Sequence, residues 1–284
     1  MLLVERRPPS PSRRVRVDPD ILVSHVPVAS RDGFLVLKCR ASDELELRVC
    51  DALTGNVTSI SPFPGGYYLL PIPAGAAGRA FELVLVDWHP KIWTFSSMKG
   101  TWGAASLFSQ FGLPPRAHTA VVGRTAPWLD SDTVPRGTKR ILALDVDAAA
   151  ATTVDVPPGY GSVTIDTLIN GHVLLAAVGG RLNLLVAEEQ AVLIWTLTTS
   201  VPAPAWSRSL VIKMQDIGRR ARLRRAVICP VRFEEVGERS GAVVLQIIDG
   251  ELVPLDLGTK DATMLCKYLV REVENASGTC ACTK

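Results

Sequence analysis

The sequence predicts an all-β protein: a β-propeller of about five or six four-stranded antiparallel blades, with a closed or an incomplete ring. Three observations carry that expectation. Short apolar runs alternate with two-residue turn signals. Several strands are apolar on both faces. A strand–Asp–turn–strand–Pro unit recurs along the chain. Composition agrees: 284 residues, 47% hydrophobic and 21% charged, exclude a disordered chain, and six cysteines are too sparse for a disulfide scaffold. The 22 glycines and 20 prolines then read as turns and strand stops.

Residues 1–19 are rich in proline, serine and arginine, and read as a disordered basic arm. Gly33–Leu37 and Leu45–Cys50 form a first strand pair, and Phe81–Val86 and Ile92–Phe95 a second. The clearest region is 163–197. There VTIDTLI, HVLLAAV, RLNLLVA and AVLIWTL are separated by Asn170-Gly171, Gly179-Gly180 and Glu188-Glu189-Gln190. Asn-Gly and Gly-Gly suit tight hairpins, so a four-strand meander is expected. Val173, Leu174, Leu175 and Ala176 run consecutively, whereas a surface sheet would alternate. Both faces of this sheet must therefore be covered. Ala242–Ile248, Asp249-Gly250 and Glu251–Leu257 make a last hairpin. Helical periodicity is nearly absent; the one short candidate, Met264–Val273, reads equally as a strand. Residues 274–284 read as a flexible tail, which leaves 20–273 as the propeller.

The repeat is seen in Leu47-Arg-Val-Cys-Asp51 and Leu142-Ala-Leu-Asp145, with Pro64 and Pro158 each thirteen residues after the Asp. Val253-Pro-Leu-Asp256 starts the same unit again. An Asp at a strand end can accept backbone N–H bonds in the turn that follows. Such units cannot cover their own faces, so they stack.

These segments also resemble a family. Arg31-Asp-Gly-Phe-Leu-Val-Leu37, Leu47 through Asp51-Ala-Leu-Thr-Gly55 and Pro62-Phe-Pro64 resemble the first blade of plant F-box-associated β-propeller domains, in the variable sets of grasses. Trp93-Thr-Phe-Ser-Ser97 with Thr101-Trp102-Gly103 is similar to the second blade. Ala120-Val-Val-Gly123, Trp128-Leu129 and Ile141–Asp145 are similar to the third, and Phe233-Glu234, Ser240-Gly241 and Leu255-Asp256-Leu257 to the last. The resemblance implies a protein-interaction module like the substrate-recognition half of F-box ubiquitin-ligase receptors. Its implied partners are an unknown target protein and, indirectly, a Skp1-type adaptor. The sequence departs from the family in two places. Only an arm precedes the first strand, where the family carries an F-box, and Pro127 stands beside Trp128.

No G-x-S-x-G elbow, P-loop or G-x-G-x-x-G occurs, so no enzyme, cofactor or metal is expected. His25, His89, His118 and His172 show no metal-ligand spacing and read as structural or surface residues. Asp87, Asp130, Asp145, Asp166 and Glu188 could meet across a propeller mouth as glycosidase pairs do, which is the enzyme alternative. The clusters Arg6–Arg16 and Arg219–Arg225 offer a nucleic-acid alternative, but without interleaved aromatics they read as a solvated tail and a solvated loop. Cys39, Cys50, Cys229 and Cys266 read as small buried hydrophobes, and the Cys280/Cys282 pair supplies too few ligands for zinc. Trp93, Trp102, Trp128 and Trp195 are expected to pack between blades. Trp88, in the loop Asp87–Lys91, is the tryptophan best placed as a partner anchor, together with His89 and Lys91. No run is long enough to span a membrane, and the N-terminus lacks a secretory pattern. A cytoplasmic or nuclear protein is expected.

Overall fold

The described residues of the computed structural model form five antiparallel sheets. It describes residues 19–31, 33–41, 45–51, 54–63, 67–73, 80–87, 91–103, 106–107, 120–129, 140–158, 171–198, 204–223, 231–237, 240–247 and 251–264. The chain divides into two compact units, Met1–Asp155 and Val156–Lys284. Each is built of small antiparallel meander sheets.

In the first unit, sheet I is the meander β1 (His25–Arg31), β2 (Phe34–Cys39), β3 (Leu45–Asp51) and β4 (Val57–Phe63). Sheet II follows with β5 (Tyr67–Pro73), β6 (Phe81–Asp87) and β7 (Lys91–Ser96). Its fourth position is shared by two short strands, β8 (Thr101–Trp102) and β9 (Ser106–Leu107), which pair with opposite ends of β7. Sheet III is β10 (Thr125–Leu129), β11 (Arg140–Asp145) and β12 (Ala150–Asp155). Pro127 is tolerated in β10 because β10 ends this path of described strands and pairs along one side, with β11.

The sheets stack face to face, as the doubly apolar strands require. Leu83, Val84 and Leu85 of β6 are consecutive and all buried. Leu83 and Leu85 join Val36, Leu47, Val49 and Ile60 of sheet I in one cluster. Val84 points the other way and joins Ala126, Trp128, Leu142 and Leu144 of sheet III. One strand thus serves two seams, following from the two-residue period of a strand. The remaining face of sheet I carries Leu35, Leu37 and Cys50. Ile21 and Leu22 of a short helix, α1 (Pro19–Ser24), pack against them. Burial pushes the Cys50 thiol up.

In the second unit, sheet IV is β13 (Val173–Val178), β14 (Arg181–Ala187), β15 (Ala191–Thr198) and β16 (Ala205–Lys213). Sheet V is β17 (Arg232–Gly237), β18 (Ala242–Gln246) and β19 (Leu252–Asp256). A single core joins Leu174, Leu185 and Ile194 of sheet IV to Phe233, Leu245 and Leu255 of sheet V, with Met214 and Ile217 of helix α2 (Met214–Arg220). The alternate residues Val173, Leu175 and Ala177 are buried as well, so both faces of β13 are covered. The expected meander holds for its three strands after Gly171. The run 163–169 lies outside the described residues, and β16 is the fourth described strand of this sheet. The Met264–Val273 candidate lies outside them too, beyond its first residue.

The recurring Asp does what its position suggested. Asp145 Oδ1 accepts the N–H groups of Asp147 and Ala148, both at 2.9 Å. Asp256 Oδ1 accepts those of Gly258 (2.9 Å) and Thr259 (2.8 Å), and Asp51 Oδ1 that of Thr54 (3.3 Å). Four residues after each Asp the backbone turns left-handed: Gly55 at φ 79°, Ala149 at 49° and Lys260 at 61°. Sheet II uses the same turn, with Ser96 in the Asp position and Gly100 at φ 67°. Only glycine adopts this conformation without a steric cost. Ala149→Gly should therefore stabilise the chain by about 1 kcal/mol, measured by urea denaturation. Gly55→Ala should destabilise it by a similar amount.

Candidate functional site

The turns of the first unit gather at one edge, and the antiparallel registers show why. Phe34, where β2 starts, faces both Arg31 at the end of β1 and Asp51 at the end of β3. Thr125 likewise faces Asp145, which faces Ala150. Contacts between sheets then bring these edges together.

Two groups of side chains occupy that edge. The first is an arginine clamp. Gly123, at φ 60°, forms the tight turn Val122–Thr125 that projects Arg124. Its Nε donates to both carboxylate oxygens of Asp147 at 3.0 Å, and its Nη1 donates to Glu82 Oε2 at 2.5 Å. Glu82 belongs to β6 of sheet II and Asp147 to the β11–β12 turn of sheet III, so one guanidinium ties two sheets. Arg31 adds a third tie, donating from Nη2 to the Val121 carbonyl at 2.9 Å. The Asp147 and Glu82 carboxylates raise the Arg124 pKa, chiefly through the Asp147 hydrogen bond. In return the guanidinium holds the Asp147 carboxyl below its usual value. This sets a pH dependence. The folded value lies below the unfolded one, near 3.9 for an Asp. The contribution is therefore complete above about pH 4 and is lost as pH falls through the folded value. Solvent screening keeps it small, because Asp147 is exposed. Melting temperatures measured down an acid series should fall more steeply for the native chain than for Asp147→Asn.

The second group is a cleft of about 130 Å³ between sheets I and II, lined by Phe34, Val49, Asp51, Asn56, Thr58 and Phe81. Phe34 and Phe81 stand 5.2 Å apart at an interplanar angle of 52°. Asp51 is a buried carboxylate, 7% exposed, at its wall.

Trp88 and His89 lie outside the described residues. Lys91 opens β7 and faces Leu107, at the end of sheet II opposite Ser96 and Glu82. It is therefore remote from the clamp and the cleft. Of the four tryptophans expected in seams, Trp93, Trp102 and Trp128 are found there. Trp128 is fully buried, and Trp93 and Trp102 pack against the cluster between sheets I and II, with Trp102 edge-on to Phe95. Trp195 is half-buried and lies under the Arg208 guanidinium at 6.0 Å. His172 Nδ1 lies 3.0 Å from the Val231 carbonyl, a tie between the approaches to β13 and β17, and His25 Nδ1 lies 2.8 Å from Ser24 Oγ. Within the second arginine cluster, Arg219 pairs with Asp216 and Arg220 with Asp261. Arg222 takes the left-handed position that ends α2, where glycine is preferred. Among the described residues, no three His, Cys, Asp or Glu side chains gather as metal ligands, and no helix is long and apolar enough to cross a membrane.

A family model described as a domain of unknown function, DUF7595, matches residues 2–282. The chain belongs to the DUF7595 family. No curated protein matches this DUF7595 chain. Solved structures similar to it include TolB from Acinetobacter baumannii, at 10% identity and a TM-score of 0.46, and YCF48 bound to a D1 peptide, at 12% and 0.43. The matches cover 82% and 84% of the DUF7595 chain, and the chain spans 52% of the first structure and 66% of the second.

Proposed function

We propose that this protein is an interaction module resembling the substrate-recognition propeller of F-box ubiquitin-ligase receptors, reaching a Skp1-type adaptor indirectly through a second chain. We also propose that it is not an enzyme and that it works in the cytoplasm or nucleus. The observation that carries the reading is the division of labour in the first unit. Apolar side chains fill the seams, and polar ones hold turns at an edge. Asp145, one of the carboxylates considered for glycosidase chemistry, caps its own turn through two N–H groups. A surface of fixed turns on rigid sheets is suited to presenting contacts to a partner. The test is co-precipitation of the full chain with a Skp1-type adaptor from a plant extract. Recovery of the adaptor supports the ligase link, and failure to recover it removes that link.

A further inference from the structure

We propose that the turn closing helix α2 and the turn after β19 together form a docking surface for an acidic peptide segment of a partner protein. That the anion belongs to a protein rests on the interaction reading above; the charge and geometry of the surface do not. The two turns adjoin within the second unit. Ala221, just past the end of α2, and Ala262, just past the β19 turn, are both buried in the core shared by sheets IV and V. Beside them Arg220 Nη1 donates to Asp261 Oδ1 at 2.9 Å. Four exposed cations stand on this frame: Arg219, Arg220, Arg222 and Lys260.

Two of the four sit where the backbone least favours a side chain. Arg222 has a φ of 55° and Lys260 one of 61°, left-handed values that suit glycine. In the second unit, these two cations are the non-glycine residues with positive φ among the described residues. Neither side chain makes a hydrogen bond or an ion pair among the described residues. They are not needed to close the helix, because its last carbonyls accept main-chain N–H groups: Ile217 from Ala221 and Gly218 from Leu223, each at 2.9 Å. The neighbouring carboxylates are already engaged. Asp216 pairs with Arg219, Asp261 pairs with Arg220, and Asp256 caps its own turn. Arg222 and Lys260 thus carry charge without a carboxylate partner. Arg219 and Arg220 each donate from one guanidinium nitrogen, and their other N–H groups can take a second carboxylate. Spaced carboxylates fit this pattern. A continuous phosphate chain would meet Asp216, Asp256 and Asp261 as well, and no aromatic residue interrupts 219–225 to stack on bases.

The test is fluorescence anisotropy of labelled octaglutamate titrated with the full chain at low salt, beside octaglutamine and a single-stranded oligothymidylate of equal charge. Saturable binding of octaglutamate is expected, with a Kd on the order of 100 μM that rises with added salt. Octaglutamine should not bind. Arg222→Gly combined with Lys260→Gly removes both charges together with the strained Cβ atoms, so the fold is kept while affinity falls about tenfold or more. Should that pair fold poorly, Arg222→Asn with Lys260→Asn removes the same charges and also tolerates the left-handed backbone. Absent saturation, equal binding of octaglutamine, tighter binding of the oligothymidylate, or unchanged affinity in a folded variant would overturn the proposal. Binding through arginines elsewhere in the chain gives the last of these results. Adaptor recovery and octaglutamate affinity are read separately, so either reading can fail while the other stands.

Discussion

Trp128→Ala is expected to cost about 3–5 kcal/mol, the largest single-residue loss in the first unit. Trp128 is 0% exposed and sits in the cluster that joins sheet II to sheet III. Its neighbours there include Val84 and Ile92 from sheet II and Leu142 and Leu144 from sheet III. Those neighbours are held in their own sheets by strand pairing, so they cannot collapse into the space a missing indole leaves. The loss therefore combines transfer of a large aromatic with a residual cavity. Guanidinium denaturation followed by far-ultraviolet circular dichroism should show a lower midpoint with an unchanged slope. A midpoint within experimental error of the native chain would mean that this seam is not packed as described.

Phe233→Ala should have a comparable effect on the second unit, again about 3–5 kcal/mol. The side chain is 2% exposed and belongs to the core shared by sheets IV and V. The same residue also ties the junction through its backbone, where the Phe233 N–H donates to the Gly171 carbonyl at 2.7 Å, a bond that alanine keeps. Gly171 holds a φ of 70°, and a Cβ there would stand 3.4 Å from the Phe233 carbonyl. Main chain and side chain thus fix the same junction. Amide hydrogen exchange would localise the result: protection should fall in β13–β19. Loss of protection confined to β17 would contradict a shared core.

Much of this arrangement was legible in the residues. Gly179-Gly180 announced the β13–β14 hairpin, and both glycines are left-handed there, at φ 60° and 72°. Consecutive apolar residues in β13 announced cover on both faces. Asp51, Asp145 and Asp256 announced their turns, since a short carboxylate at a strand end has backbone N–H groups within reach. Strands with few buried apolar residues escaped notice. β16 reads Ala-Trp-Ser-Arg-Ser-Leu-Val-Ile-Lys and is mostly exposed, and β12 reads Ala-Ala-Thr-Thr-Val-Asp. Each ends its sheet's path of described strands and so needs less apolar surface. Helices α1 and α2 are six and seven residues long, too short to show a 3.6-residue period. The arginine clamp was hidden for another reason. Glu82 and Asp147 lie 42 and 23 residues from Arg124, and only the stacking of sheets brings them together. The cleft is equally nonlocal, combining Asp51, which the sequence marked as a turn residue, with two phenylalanines that it placed only in separate strands.

Face-to-face stacking of blade-like sheets underlies both the edge of turns and the cleft. Its most direct measurement is a double-mutant cycle between Phe34 of sheet I and Phe81 of sheet II, each replaced by leucine. The two rings touch across the seam, so the cycle should return a coupling of about 0.5–1.5 kcal/mol. Additive losses, with coupling within about 0.3 kcal/mol of zero, would contradict the stacking.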